Sequence, residues 1–176
     1  MDMDSSSTLI TERLTLRRWT SSDTPFLFDL YSRPEVQRYI GRTPRMMADV
    51  SEVAPLLERW EALRSGMQGV WGVFDDEQPC GVVLLKPIPA SGNREPSGDV
   101  EIGWHFHPDS WGRGYATEAA AAVLVAGFES GLDRIVAVTH RENVASQAVC
   151  RRLGMTHLGL SDRYYDTTCE LFEALR

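Results

Sequence analysis

The chain has 176 residues, enough for one globular domain with a real core: 43% are hydrophobic and 24% charged. The formal net charge of −7 argues against a nucleic-acid binder, which needs clustered Lys and Arg. Three widely spaced cysteines, Cys80, Cys150 and Cys169, give neither a disulfide framework nor a zinc pair, so a reducing cytoplasmic setting is the simpler expectation. The polar start has no apolar h-region, and no apolar run approaches the length of a membrane helix.

Residues 1–8 read as a disordered tail, and residues 9–176 as one domain. Residues 9–19 alternate in part and predict a strand. Ser21, Ser22 and Asp23, with Pro25, mark a helix start. A second helix is predicted over 46–64, where Val50, Val53, Leu57, Trp60 and Leu63 form one stripe. Residues 70–74 and 81–86 read as a hairpin around Asp75-Asp76-Glu77. Residues 87–98 hold three prolines and two glycines and predict a mobile loop. A strand at 99–106 follows, then a helix at 114–130, a strand at 134–140 and a short helix at 144–153 closed by Gly154. Two last strands are predicted at 155–160 and 164–174. Strands and helices in this mixture imply an α/β sandwich on a single sheet.

The run Trp111-Gly112-Arg113-Gly114-Tyr115-Ala116-Thr117-Glu118-Ala119 lies between a strand and a strongly helical segment. A helix start leaves unpaired N–H groups and partial positive charge, which suits phosphate. Glycines let the backbone come close to it. Arg113 adds a charge that can meet a phosphate directly. The plainer reading is a tight strand-to-helix turn without a ligand.

This run resembles the coenzyme motif of the GNAT N-acetyltransferases, Q/R-x-x-G-x-G/A, with Trp111 in place of the first Gln or Arg. The form W-G-R-G-Y-A-T-E-A is similar to the RimJ/RimL-like branch, the ribosomal-protein N-terminal acetyltransferases. Further resemblance lies in Glu12-Arg13-Leu14-Thr15-Leu16-Arg17, in Glu101-Ile102-Gly103-Trp104, and from Glu142-Asn143-Val144-Ala145-Ser146 to Leu153-Gly154-Met155. The resemblance implies a mixed, mostly antiparallel sheet of about seven strands. Two parallel central strands splay apart in it, and helices cover both faces.

It also implies acetyl-CoA as co-substrate and no metal. The pyrophosphate would lie on Trp111, Gly112, Arg113, Gly114, Tyr115, Ala116 and Thr117. The pantetheine arm would run between the strands at 99–106 and 134–140, meeting backbone near Phe106 and His107. A backbone N–H near Phe106 would polarise the acetyl carbonyl. Asn143 reads both as a helix cap and as a pantetheine contact. Ser146 is the family-like proton donor to the departing thiolate, with Tyr164 or Tyr165 as alternatives that also fit packing or the acceptor site. Glu101 is the first candidate base, its pKa expected to be raised by burial, against a purely structural carboxylate. His140 is the second. Transfer would be direct, and Cys150 reads as a core residue rather than a nucleophile.

Three rival readings remain. His105-Phe106-His107-Pro108-Asp109 matches an H-x-H-x-D pattern of metal-dependent hydrolases; the plainer expectation is that both imidazoles simply share a strand face. Gly112-x-Gly114-x-x-Thr117 approaches a dinucleotide fingerprint, but late in the chain and with Thr third. A non-catalytic acyl-CoA sensor would keep the turn and lose the acid and base. The acceptor is expected to be an amine of unassigned identity, entering over residues 26–47 and 160–168, where Phe28, Tyr31, Tyr39 and Tyr164 lie. The branch resemblance favours a protein or peptide α-amine. Homodimers are common among similar proteins.

Overall fold

A computed structural model describes residues 8–176, so all but the last residue of the expected tail lies outside the described residues. One eight-stranded sheet organises them: β1 (Leu9–Ile10), β2 (Leu14–Arg18), β3 (Gly69–Asp75), β4 (Gln78–Pro87), β5 (Val100–Phe106), β6 (Arg134–Thr139), β7 (Thr156–Ser161) and β8 (Cys169–Leu175). Their order across the sheet is β1-β2-β3-β4-β5-β6-β8-β7. Neighbours are antiparallel except β5 and β6, the one parallel pair, at the centre.

The count exceeds the expected seven because residues 9–19 make two strands. Thr11 turns the chain: its N–H donates to the Leu14 carbonyl at 2.9 Å and its hydroxyl accepts from the Leu14 N–H at 3.0 Å. Leu9 and Ile10 then fold back onto Leu16 and Thr15.

Helices α1 (Thr24–Ser32), α2 (Pro34–Gln37) and α3 (Val53–Ala62) cover one face; α4 (Tyr115–Glu129) and α5 (Val144–Arg152) cover the other. The helix expected from residue 46 starts seven residues later. Asp49 accepts from the Ser51 N–H, and Glu52 accepts from the Ala48 and Asp49 N–H groups, which caps a short 3-10 turn before α3. The last strand also starts late, at Cys169. Tyr165 and Asp166 hold positive φ (59° and 52°), which breaks the extended run.

Alternation on β5 sends Val100, Ile102 and Phe106 into the core under α4, with Ala119, Ala120, Val123 and Leu124 of that helix. Burying each larger aliphatic there contributes about 1.5–3 kcal/mol. Glu101 and His105 point to the opposite face, as does His107 just past the strand. That face carries two apolar clusters: Leu27, Leu30, Tyr31, Val53, Val70 and Val82 under α1–α3, and Ile88, Val136, Tyr164 and Leu171 nearer the β6 side. Part of the loop expected at 87–98 is tied to the 161–168 segment. Ser91 N–H donates to the Arg163 carbonyl at 2.9 Å, and Gly92 N–H to Asp166 at 2.5 Å.

Candidate active site

The strand-to-helix turn follows β5 directly. His107 caps a 3-10 turn over Pro108–Ser110, and Gly112 and Gly114 then take φ of 75° and 79°. A side chain at either position would strain the backbone. Gly114 is the N-cap of α4 and offers no side-chain oxygen to the helix. Its carbonyl accepts from the Glu118 N–H at 3.1 Å, which leaves the N–H groups of Tyr115, Ala116 and Thr117 ahead of the helical ladder. The Thr117 hydroxyl is buried and has no partner among the described residues. Positive-φ glycines, free N–H groups and an orphaned hydroxyl at the start of a 15-residue helix fit a diphosphate.

Two residues of this region acquired no role from the sequence. Arg13 and Glu118 form an ion pair at 2.6 Å, and the Glu118 carboxylate also accepts from the Arg13 N–H and the Thr11 hydroxyl. The Arg13 guanidinium donates to the Arg113 carbonyl at 3.0 Å and lies against Gly114. The first strands thereby brace the turn. Arg13 stands in the family-like opening and Glu118 in the family-like turn, so both were visible; their pairing across 105 residues was not. Arg113 is more than half exposed, and its Nη1 is 3.9 Å from Asp75, which accepts from the Tyr115 hydroxyl at 2.5 Å.

The cleft begins where β5 and β6 part. β5 pairs with β4 along its whole length, and β6 with β8, yet β5 and β6 share only Val100↔Ile135 and Glu101↔Val136. Beyond that point Gly103, Trp104 and His105 are only partly buried, although they lie at the centre of an eight-stranded sheet. The two strands therefore splay as expected. Of the backbone groups near the open end, the His107 N–H donates to the Cys80 carbonyl at 2.9 Å and the Phe106 carbonyl accepts from Trp111 Nε1 at 2.8 Å. The Phe106 side chain is buried in the core.

Glu101 is buried and accepts from Lys86 Nζ at 2.6 Å and from the Tyr165 hydroxyl, which itself accepts from Lys86 at 2.8 Å. Lys86, the only lysine of the chain, is its cross-strand neighbour on β4. Burial, with the Glu101 charge and hydrogen bond, pushes the Tyr165 phenol up. On the same face His105 Nδ1 meets the Tyr31 hydroxyl at 2.9 Å. Burial, helped by the Lys86 charge, depresses His105 to about 4, so this imidazole is neutral at physiological pH. The sequence offered His105 either as a metal ligand or as a residue sharing a strand face with His107; the second holds, and its alternation with Glu101 puts that carboxylate on the same face.

His140 is exposed at the end of β6 and stacks on Tyr39 at 5.2 Å between centroids. Its Nδ1 accepts from the Glu142 N–H at 3.2 Å. Asn143 caps α5, accepting from the Ser146 N–H at 3.1 Å, while the Ser146 hydroxyl has no partner among the described residues. Tyr164 is 1% exposed and donates to Asp99 at 2.6 Å, which is the surrounding of a packing residue rather than of an acid facing a thiolate. Cys150 is fully buried, and burial pushes its thiol up to about 12, in keeping with a core role.

The H-x-H-x-D residues are engaged separately. His107 Nε2 meets Asp29 at 3.0 Å, and its Nδ1 accepts from the Asp109 N–H at 3.2 Å, which places the proton on Nε2 if the ring is neutral. His105 turns to Tyr31 instead. Among the described residues no three His, Cys, Asp or Glu side chains converge as a metal set. The mostly antiparallel sheet likewise differs from the doubly wound parallel sheet of dinucleotide-binding folds. No helix among the described residues is long and apolar enough to cross a membrane.

The model of the acetyltransferase (GNAT) domain matches residues 13–156. The chain belongs to the GNAT family. It is thereby an acetyl-CoA-dependent N-acetyltransferase. Among relatives of this GNAT protein, the uncharacterized N-acetyltransferase YoaA of Bacillus subtilis is 29% identical over 160 residues, covering 89% of this chain and 86% of its own. The FsC-acetyl coenzyme A-N(2)-transacetylase of Aspergillus fumigatus is 30% identical, covering 95% and 72%. The solved structure of RimL, the ribosomal L7/L12 α-N-protein acetyltransferase, with coenzyme A shares the fold at a TM-score of 0.79 and 19% identity, covering 96% and 98%.

Proposed function

We propose that this GNAT protein transfers an acetyl group from acetyl-CoA to a primary amine by direct transfer within a ternary complex. The observation that carries the reading is continuity. The open edge of β5 leads through Phe106 and Trp111 to the glycine turn, which supports a coenzyme lying from that turn along the gap between the two strands. Bound acetyl-CoA supplies an activated acyl group. Gly112, Gly114 and the N–H groups of residues 115–117 hold its diphosphate, with the Thr117 hydroxyl as a further donor.

Around the reacting centre the roles divide by position. Glu101, held by Lys86 and Tyr165 at the point where the strands part, takes the amine proton; His140, at the open end of β6, is the alternative base. The unpartnered Ser146 hydroxyl protonates the leaving thiolate, and Asn143 orients the helix that carries it. The acceptor enters on the face of α1–α3. Tyr39, stacked on His140, and Tyr31, bonded to His105, line that side. RimL acts on a ribosomal-protein α-amine by its name, and the Aspergillus relative is named for an N(2) position, so peptide α-amines and small amines are the acceptors to test.

The test is thiol release from acetyl-CoA against a panel of small amines and peptides with free N-termini. Amine-dependent release is the expected result. Tight acetyl-CoA binding with no amine acetylated would favour the sensor reading instead.

A further inference from the structure

β5 and β6 meet at one end and nowhere else, so something must set the angle at which they leave each other. Immediately before their first register pair, Asp99 and Arg134 face each other. Arg134 Nη1 lies 2.5 Å from Asp99 Oδ1, and Arg134 Nε donates to Glu173 of β8 at 2.8 Å. The second Asp99 oxygen accepts from the Tyr164 hydroxyl at 2.6 Å. One network thus ties the start of β5, the start of β6, the neighbouring strand β8 and the segment after β7. Its three charged side chains are only 13–29% exposed. Burial alone would push Asp99 up, but the bonds from Tyr164 and Arg134 hold it below the usual carboxylate range. Burial opposes the charge of Arg134 too, and its bonds to Glu173 and Asp99 raise it well above the usual value. Both groups therefore stay charged at any working pH.

Position gives this pin leverage. Each strand is fixed on its outer side by a full-length ladder, β5 to β4 and β6 to β8. Between them only two register pairs and the Asp99–Arg134 bridge define the vertex. From Glu101 to Phe106 the open edge runs about 17 Å at roughly 3.3 Å per residue, so a small shift at the vertex becomes a larger one where the arm must fit. Packed elements settle into discrete arrangements rather than deforming smoothly, which makes the vertex geometry consequential.

We propose that Arg134 and Asp99 are positioning residues for the pantetheine arm: the bridge between them sets the spread of β5 and β6 without touching the coenzyme. The inference rests on the reading that the arm occupies this gap.

The test compares two ligands on the full chain by calorimetric titration. CoA carries the arm; 3′-phosphoadenosine 5′-diphosphate carries the diphosphate and lacks the arm. Wild type should bind CoA more tightly. In Arg134→Met, checked for folding by its melting transition, CoA affinity should fall roughly tenfold while affinity for the truncated nucleotide is unchanged. Arg134→Lys keeps a charge towards Asp99 and should recover part of the loss. Should Arg134→Met fail to fold, Asp99→Asn, which keeps the shape and removes the charge, should show a smaller loss confined to CoA. Unchanged CoA affinity in a folded variant, or equal losses for both ligands, would overturn the positioning role. A wild type that binds CoA no better than the truncated nucleotide would instead remove the arm from the gap, and the inference with it.

Discussion

Trp111 Nε1 donates to the Phe106 carbonyl at 2.8 Å, which joins the glycine turn to the last residue of β5. The ring is half exposed, so this bond rather than burial accounts for its placement. It also gives a physical role to the position where many similar motifs carry Gln or Arg. Trp111→Phe keeps the ring and removes the donor. A net hydrogen bond of this kind contributes about 1 kcal/mol, so CoA should bind roughly fivefold more weakly. Identical CoA dissociation constants for the two proteins would sever the proposed link between turn and cleft.

Ser146→Ala removes a hydroxyl with no partner among the described residues, while its backbone N–H still serves the Asn143 cap. The fold should be untouched. Turnover should drop by roughly a hundredfold if the hydroxyl is the acid, with the acetyl-CoA dissociation constant little changed. Steady-state rates and titration on the same preparation separate the two quantities. Unchanged turnover would move the acid role to Tyr165.

Glu101 and Lys86 form a largely buried ion pair, with side chains 6% and 19% exposed. Losing one partner of such a pair costs about 3–5 kcal/mol at full burial, whereas replacing both with apolar residues is close to neutral. Glu101→Gln should therefore melt earlier, and Glu101→Leu combined with Lys86→Met should recover most of the stability. Activity discriminates the roles of the carboxylate. A stable but inactive double variant supports Glu101 as the base; a stable and active one makes it structural and leaves His140 to be tested.

His105 is depressed to about 4 by burial and then by Lys86. In the unfolded chain it takes up its proton near pH 6.5. Protonation thus favours the unfolded state. The stabilising contribution is complete above pH 6.5 and is lost as pH falls from there towards 4. It amounts to about 3 kcal/mol at most. His105→Gln keeps a partner for Tyr31 and cannot titrate. The difference in melting temperature between wild type and this variant should shift against wild type between pH 7 and 4.5. A difference that is flat with pH would mean that His105 charges normally in the folded state.

The features legible in the sequence were local ones. Period-two and helical patterns located β3–β6, α4 and α5, because each pattern reports one buried face. Asn143 was legible as a cap, and Gly112 and Gly114 as a tight turn, since both act within a few residues. The late start of α3 was also written locally, in Asp49 and Glu52, but the apolar stripe from Val50 outweighed that signal. The rest depends on partners distant in sequence. Tyr165 reaches Glu101 across 64 residues, Arg13 reaches Glu118 across 105, and Arg134 reaches Asp99 across 35. No periodicity encodes such pairings; the sheet order decides them. For that reason the turn could be assigned a ligand, whereas the surroundings of Glu101, His105 and Tyr164 emerged only from the fold.

Residues 112–117, where β5 passes into α4, are the proposed seat of acetyl-CoA. Gly114 is the N-cap of α4 at φ 79°, and Gly114→Glu places bulk and negative charge where the diphosphate would lie. The most direct measurement is calorimetric titration of acetyl-CoA into wild type and into Gly114→Glu, with folding of the variant verified by circular dichroism. Wild type should bind with a single site, and the folded variant should show no measurable binding. Wild-type affinity in a folded Gly114→Glu protein would contradict the assignment of the site.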